Sequence, residues 1–300
     1  MRSKFVGCLV GSAVGDALGS SFEGSWSPEV KLETFSGHWT DDTHMMIGVA
    51  QSLIENEGFD GEHMAEVFVR NYESQPWRGY GPGPPRVFRW IRSGVPWNEA
   101  AKRLFGGAGS YGNGAAMRVA PVGLFYHDDL EKLRRVAYSQ SQITHTHRLG
   151  MEGAALQACA VALAINTDSS STLEPSGFLS RLKSFTRDEV YRRKLERAEE
   201  LLSETNKGRI VRELGNGVAA HNSVPTAIYS FLRNHQSFEQ AVLYAVSLGG
   251  DTDTIGAMTG AISGAYHGAG RVPRRWKNRL EHRDHIETLA ETLWRIKSKL

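Results

Sequence analysis

The chain has 300 residues, 40% of them hydrophobic, and a formal net charge of +2. That length and apolar content suffice for a sizeable buried core, and the near-neutral charge gives no electrostatic ground for a nucleic-acid or membrane partner. Its two cysteines, Cys8 and Cys159, each lie in an apolar, helix-like run and read as buried free thiols in a reducing compartment, not as a disulfide framework or zinc site.

The first predicted element covers residues 5–19. Arg2 and Lys4 ahead of "FVGCLVGSAVGDALG" imitate a signal peptide, but glycines interrupt the apolar run and Asp16 closes it. No segment offers the roughly 18 uninterrupted apolar residues of a membrane span, so a soluble, cytoplasmic protein is expected. Gly7, Gly11, Gly15 and Gly19 stand four apart, and Gly256, Gly260, Gly264 and Gly268 repeat that ladder in a second apolar helix. Glycine costs about 1 kcal/mol against alanine in a helix interior, so eight of them call for close backbone approach. Two tightly packed central helices are expected, with Asp16 brought near Asp251 and Asp253.

Glu23 follows in "SSFEGSWSPE", whose Gly, Ser and Pro describe a mobile loop. It is either an ordinary exposed acid or a general acid or base. Next, "HWTDDTHMMIGVAQSL" sets Thr40, Asp41, Asp42 and Thr43 directly before an apolar helix. "HMAEVFVRNYE" is helical, and "GPGPPRVF" reads as a loop stiffened by Pro84 and Pro85. "GGAGSYGNGAAMR" contains a literal G-x-G-x-x-G at Gly107, Gly109 and Gly112, with Asp128 and Asp129 downstream. A dinucleotide site needs a strand before it, and "NEAAKRLF" is helix-like, so that reading is rejected. The loop can still present amides to a phosphate, with Phe105 and Tyr111 stacking a base; equally, it is a connector with core aromatics. His145 and His147 in "ITHTHR" read as structural.

"EGAALQACAVALAI" and "DEVYRRKLERAEELLSE" are helical, the latter with Tyr191, Leu195, Ala198 and Leu202 on one face, and "NTDSSSTLEPSG" between them is a polar connector. Pro225 in "SVPTAIYSFLRN" is placed near its helix start. "LGGDTDTIGAMTG" then sets Asp251 and Asp253 before the second glycine-ladder helix. "RVPRRWKNRL" reads as a solvated basic stretch, and "HIETLAETLWRIKSKL" as a final helix. With strand alternation nearly absent, the expectation is one compact all-α domain over residues 1–300.

Capping explains one Thr or Asp before each helix. Two acids apiece exceed that need, and crowded carboxylates repel unless a cation neutralises them. Oxygen ligands of this kind suit Mg²⁺, Mn²⁺ or Ca²⁺ over zinc, as one ion or two about 4 Å apart.

Together "GCLVGSAVGDALG", "WTDDTHMMI", "GNGAAMRVAPVGL", "ITHTH" and "GGDTDTIGAMTGAISGAYHG" resemble the ADP-ribosylglycohydrolase family over residues 5–268. "SSFEG", "GSYGNGAAMRVA" and "LGNGVAAHNSVPTAIYSFLR" resemble its subgroup that releases ADP-ribose from serine, poly(ADP-ribose) and O-acetyl-ADP-ribose. The resemblance implies a compact orthogonal helical bundle; the sequence departs from the subgroup's pattern in the loop after Glu23, which is shorter than in its animal members. It also implies two Mg²⁺ or Mn²⁺ ions held by Thr40, Asp41, Asp42, Asp251, Asp253 and Thr254, with Asp16 behind them and Glu23 as the catalytic carboxylate. Gly109, Ser110, Tyr111 and Asn113 match the pyrophosphate and adenosine loop, Phe105 an adenine-stacking ring, and His145 a substrate-contacting histidine. ADP-ribosylated proteins or ADP-ribose derivatives are the implied partners of a monomer; an arginine-specific hydrolase and a silent ADP-ribose binder are the alternatives.

Overall fold

The computed structural model describes residues 1–26, 30, 35–168 and 173–300. Thirteen helices of eight or more residues run through them: α1 (Arg2–Gly19), α2 (Asp41–Glu55), α3 (Gly61–Ser74), α4 (Gly83–Arg92), α5 (Leu130–Gln142), α6 (Arg148–Asn166), α7 (Pro175–Phe185), α8 (Glu189–Glu200), α9 (Lys207–Leu214), α10 (Ala220–Arg233), α11 (Phe238–Val246), α12 (Thr252–His267) and α13 (Arg283–Lys297). No β-strand occurs among the described residues; Gly112 and Ala219 make one isolated antiparallel bridge. The all-α expectation holds. Ahead of the glycine-rich loop lie a four-residue helix, Trp97–Ala100, and a 3-10 stretch bent at Leu104, Phe105 and Gly106, so a strand-based dinucleotide site has no footing there.

Helices α1 and α12 run antiparallel through the centre with their backbones touching. A Cβ on Gly7, Gly11 or Gly15 would fall under 3.0 Å from the carbonyl oxygen of Gly264, Gly260 or Gly256, and the reverse substitutions would collide equally. Both ladders are therefore used, and the packing they permit offsets their helix cost of about 1 kcal/mol per glycine. Helices α6, α10 and α11 pack on α12, and α13 packs on α1. The two longest apolar helices, α1 and α6, are core elements, since their most apolar windows are 83% buried. The antiparallel pairing brings the end of α1, with Asp16, beside the start of α12. Thr252 Oγ1 donates to the Gly19 carbonyl at 2.8 Å across that junction.

Cys8 and Cys159 are buried and unpaired. Tyr191, Leu195 and Ala198 form the buried face of α8, as its periodicity predicts. Two local expectations are corrected. Pro225 is the sixth residue of α10, beyond the first turn, because the helix begins three residues before the apolar pattern does. Pro84 and Pro85 belong to the first turn of α4, where a missing amide donor costs little. Part of the loop after Glu23 (27–29 and 31–34) and part of the "NTDSSSTLEPSG" connector (169–172) lie outside the described residues, and with them the expected mobility of the Glu23 loop.

Candidate metal centre and cleft

Helix α2 starts at Asp41 because Thr40 is extended and its hydroxyl accepts the Asp42 amide at 3.4 Å. Capping thus accounts for Thr40 and leaves Asp41 and Asp42 free for other work. The turn is held from behind by Asp16, wholly buried at the end of α1. Asp16 accepts the Thr40 amide and hydroxyl at 3.0 and 2.9 Å, and the Thr43 amide and hydroxyl at 3.0 and 2.6 Å. Burial pushes the Asp16 carboxyl up to about 6 despite the opposing pull of those four donors. The residue before Thr40 is braced as well. Arg78 stacks 3.6 Å over the Trp39 ring and forks both oxygens of Glu281 at 2.8 Å.

The start of α12 is built differently. Asp251 stands at the N-cap but makes no side-chain cap bond. Glu23 does so instead: its Oε2 accepts the Thr252 amide at 2.9 Å. Asp251 Oδ2 accepts from Asn113 Nδ2 at 2.5 Å, and its amide donates to the Asn216 carbonyl at 2.8 Å. Reciprocal backbone bonds of 3.0 Å, Gly24 to Gly250 and Gly250 to Ser25, pin the Glu23 turn against this segment. Gly250 has φ +78, and a Cβ there would collide with the Asn216 carbonyl, so the position requires glycine.

One carboxylate oxygen each from Glu23, Asp251 and Asp253 lies within 4.8 Å of the others. These three, with Asp41, Asp42 and Thr254, line a cleft of about 340 Å³ into which both helix N-termini run. A larger groove of about 440 Å³, between α3 and Trp97, contains none of them. Burial, then the charge of Asp16, pushes the Asp41 carboxyl up to about 7. Asp42 and Asp253 are driven well above the usual carboxylate range by burial and by their acidic neighbours. Glu23 is raised too, by burial first and then by Asp251. Asp42 Oδ1 is buried with no hydrogen-bond partner among the described residues. A bare buried carboxylate oxygen is costly unless it is protonated or meets a cation. The donors are all oxygen, so the residues fit a hard divalent cation and not zinc.

The opposite wall carries the glycine-rich loop. Phe105, Ser110, Gly112, Asn113 and His145 line the cleft. Phe105 has φ +52, rare for an aromatic residue, and is 64% exposed on the rim, so it is not a core residue. Asn113 spends its amide donors on Asp251 and on Ser223 Oγ, the latter at 3.0 Å, and so ties the loop to the acids. Asp16, Thr40, Gly109 and Tyr111 do not line the cleft. Asp16 and Thr40 support its floor, Gly109 packs against Thr146, and the exposed Tyr111 ring meets His147 and His221 edge-on or tilted. The structural expectation for the two histidines divides. His147 Nδ1 accepts the Leu149 amide at the start of α6, whereas His145 faces the cleft.

Sequence reasoning passed over Thr144, Asn216 and Val218. The tripeptide Gly-Asn-Gly occurs twice, at 112–114 and 215–217, and was a usable signal. The two copies adjoin: the Asn113 amide donates to the Val218 carbonyl at 2.9 Å, and both asparagines hold Asp251.

The ADP-ribosylglycohydrolase family model matches residues 1–299. Human ADP-ribosylhydrolase ARH3 is 37% identical, with 99% of this chain and 94% of that protein covered. An uncharacterized protein of Archaeoglobus fulgidus is 35% identical over 100% of this chain and 99% of its own. ADP-ribosylarginine hydrolase Tri1 of Pseudomonas putida is 26% identical over 96% of this chain and 77% of its own. A solved structure described as an ADP-ribosylglycohydrolase-related protein complex matches with a TM-score of 0.79 at 29% identity, covering 99% of this chain and 98% of that one. With the family model spanning nearly every residue and the helical architecture shared, this chain belongs to the ADP-ribosylglycohydrolase family and is a glycosidase-type hydrolase.

Proposed function

We propose that the enzyme is a divalent-metal-dependent ADP-ribosylhydrolase acting on serine-linked ADP-ribose, poly(ADP-ribose) or O-acetyl-ADP-ribose. The carrying observation is the gathering of Glu23, Asp251 and Asp253 beside Asp41 and Asp42 at one end of a cleft whose other wall is the glycine-rich loop. The serine-type preference draws support from the subgroup motifs and from 37% identity to human ARH3 against 26% to the arginine hydrolase Tri1.

In this reading Asp41, Asp42, Asp251, Asp253 and Thr254 from the cleft lining, with Thr40 from its floor, would hold two Mg²⁺ or Mn²⁺ ions, and Asp16 keeps the Thr40 turn in place. Bound there, the ions supply positive charge that orients and polarises ribose hydroxyls and a water. Ser110, Asn113 and the backbone from Gly109 to Tyr111 cradle the pyrophosphate and adenosine. The ring of Phe105 stacks the adenine, and His145 touches the substrate. Hydrolysis joins the water oxygen to the anomeric carbon of the distal ribose and breaks the bond to the leaving oxygen, which departs with a proton. Glu23 carries the proton in that exchange, either from the water or to the leaving group. The same reading has one domain over residues 1–300, monomeric and cytoplasmic, whose partners are ADP-ribosylated proteins or ADP-ribose derivatives and not nucleic acid or membrane.

Release of free ADP-ribose from matched peptides modified on serine or arginine, with Mg²⁺ and with a chelator, tests it. Mg²⁺-dependent release from serine is the expected result. Release from arginine alone would retain the chemistry and replace the substrate class, and binding without release from either would leave an ADP-ribose reader.

A further inference from the structure

We propose that Thr144, held by Arg118, fixes His145 as an imidazole protonated on Nε2, which donates that proton to an oxygen of bound ADP-ribose. The ligand in this proposal rests on the reading above; the assignment of Arg118 and Thr144 as positioning residues goes beyond it.

Arg118 is fully buried just after the glycine-rich loop. Its Nη1 lies 2.7 Å from Thr144 Oγ1, while Nε and Nη2 donate to the side chain and carbonyl of Gln140 at 2.8 and 2.7 Å. The Phe68 ring lies 4.7 Å from the guanidinium carbon. A guanidinium only donates, so Thr144 Oγ1 must accept from Arg118. Thr144 is itself buried, and its other partner is His145 Nδ1, at 2.7 Å. Were Nδ1 protonated, both neighbours would donate to the hydroxyl oxygen, and the hydroxyl proton would be left without an acceptor. With Nδ1 accepting, the Thr144 hydroxyl proton has its acceptor, Arg118 donates to Thr144 and Thr144 to His145, and the ring proton resides on Nε2.

Nε2 has no hydrogen-bond partner among the described residues and faces Gly112 and Gly114. A Cβ on those glycines would approach Nε2 to 3.4 and 3.1 Å, so their bareness keeps the space before it open. His145 lines the cleft beside Ser110 and Asn113. Burial, helped by the charge of Arg118, holds the imidazole down to about 3, so the ring is neutral at physiological pH. A neutral Nε2–H is a single directed donor suited to a ribose or pyrophosphate oxygen. The opposite tautomer would turn a lone pair toward that oxygen and repel it.

The test is a long-range proton–nitrogen NMR correlation on the full-length protein labelled at histidine nitrogen, paired with calorimetric titration of ADP-ribose. The expected wild-type spectrum assigns His145 the Nε2–H form. Thr144→Val keeps the shape and removes the hydroxyl. Its spectrum should move toward mixed tautomers, with ADP-ribose affinity down about tenfold, and Thr144→Ser should restore both. A wild-type ring protonated on Nδ1 overturns the proposal, as does a folded Thr144→Val that changes neither spectrum nor affinity. Failure of the hydrolytic reading would be distinct: ADP-ribose would bind, the histidine results would stand, and the peptide assays would show no release.

Discussion

Glu23 and Thr252, 229 residues apart, meet through a 2.9 Å bond from the Thr252 amide to Glu23 Oε2. A loop carboxylate thereby takes the cap of a central helix, and Asp251, the residue at the cap position, is released to face the other acids. The same contact places Glu23 in the acidic group from which the cation would be held.

That arrangement separates two roles of Glu23. Glu23→Gln retains an oxygen that can accept the Thr252 amide but cannot exchange a proton at neutral pH. Turnover should fall by about 10²–10⁴-fold, with melting temperature and ADP-ribose affinity little changed. Steady-state kinetics with a melting curve checks this, and an unchanged kcat would remove Glu23 from the chemistry.

Asp253→Asn should move stability and function in opposite directions. The substitution removes one buried charge repelled by Asp42, Asp251, Asp16 and Glu23. The chelator-treated protein should gain about 0.5–2 kcal/mol, while the rise in Tm on adding Mg²⁺ is lost. Titration calorimetry and urea unfolding measure the two effects. Wild-type Mg²⁺ affinity in this variant would overturn the ligand assignment.

Acidity provides a further check on the same carboxylates. Asp16 and Asp41, at about 6 and about 7 when folded, stand above the unfolded value of 3.8. Over that interval the folded chain binds more protons than the unfolded one. Their contribution is therefore fully present below the unfolded value and is lost as pH rises through 6 and 7. Cation binding must displace these protons, so the Mg²⁺-induced rise in Tm should be small near about pH 5 and larger near about pH 8. Melting curves with Mg²⁺ and with chelator across that range suffice, and a shift independent of pH would contradict the argument.

Gly15→Ala tests the central helix pair. By helix propensity alone it would stabilise by about 1 kcal/mol. In the fold its Cβ enters the backbone of Gly256, which cannot yield without parting α1 from α12. A net loss of about 3 kcal/mol or more is expected, together with weaker Mg²⁺ binding, because Asp16 and Asp251 ride on the two helices. Gly177→Ala in α7, where a Cβ meets only the Glu174 side chain at 3.7 Å, is the control and should be near neutral. Equal effects in the two variants, measured by urea unfolding, would show that the close approach is not what the ladders serve.

Much of this was legible in the chain. Helical period, the threonine before α2, the paired aspartates and the glycine ladders are local features, and each carries its own physical reason. The ladders even predicted a long-range fact, the approach of Asp16 to Asp251 and Asp253, since two helices stripped of side chains on one face can pack closest against each other. The partner of each polar atom was not legible. That Glu23 caps α12, that Asn113 is spent on Asp251, and that His145 enters the cleft while His147 caps α6 depend on contacts between segments up to 229 residues apart. Hydrogen bonds and buried charge act over a few ångströms of space, and only the closing of α1 on α12 decides which residues share those ångströms.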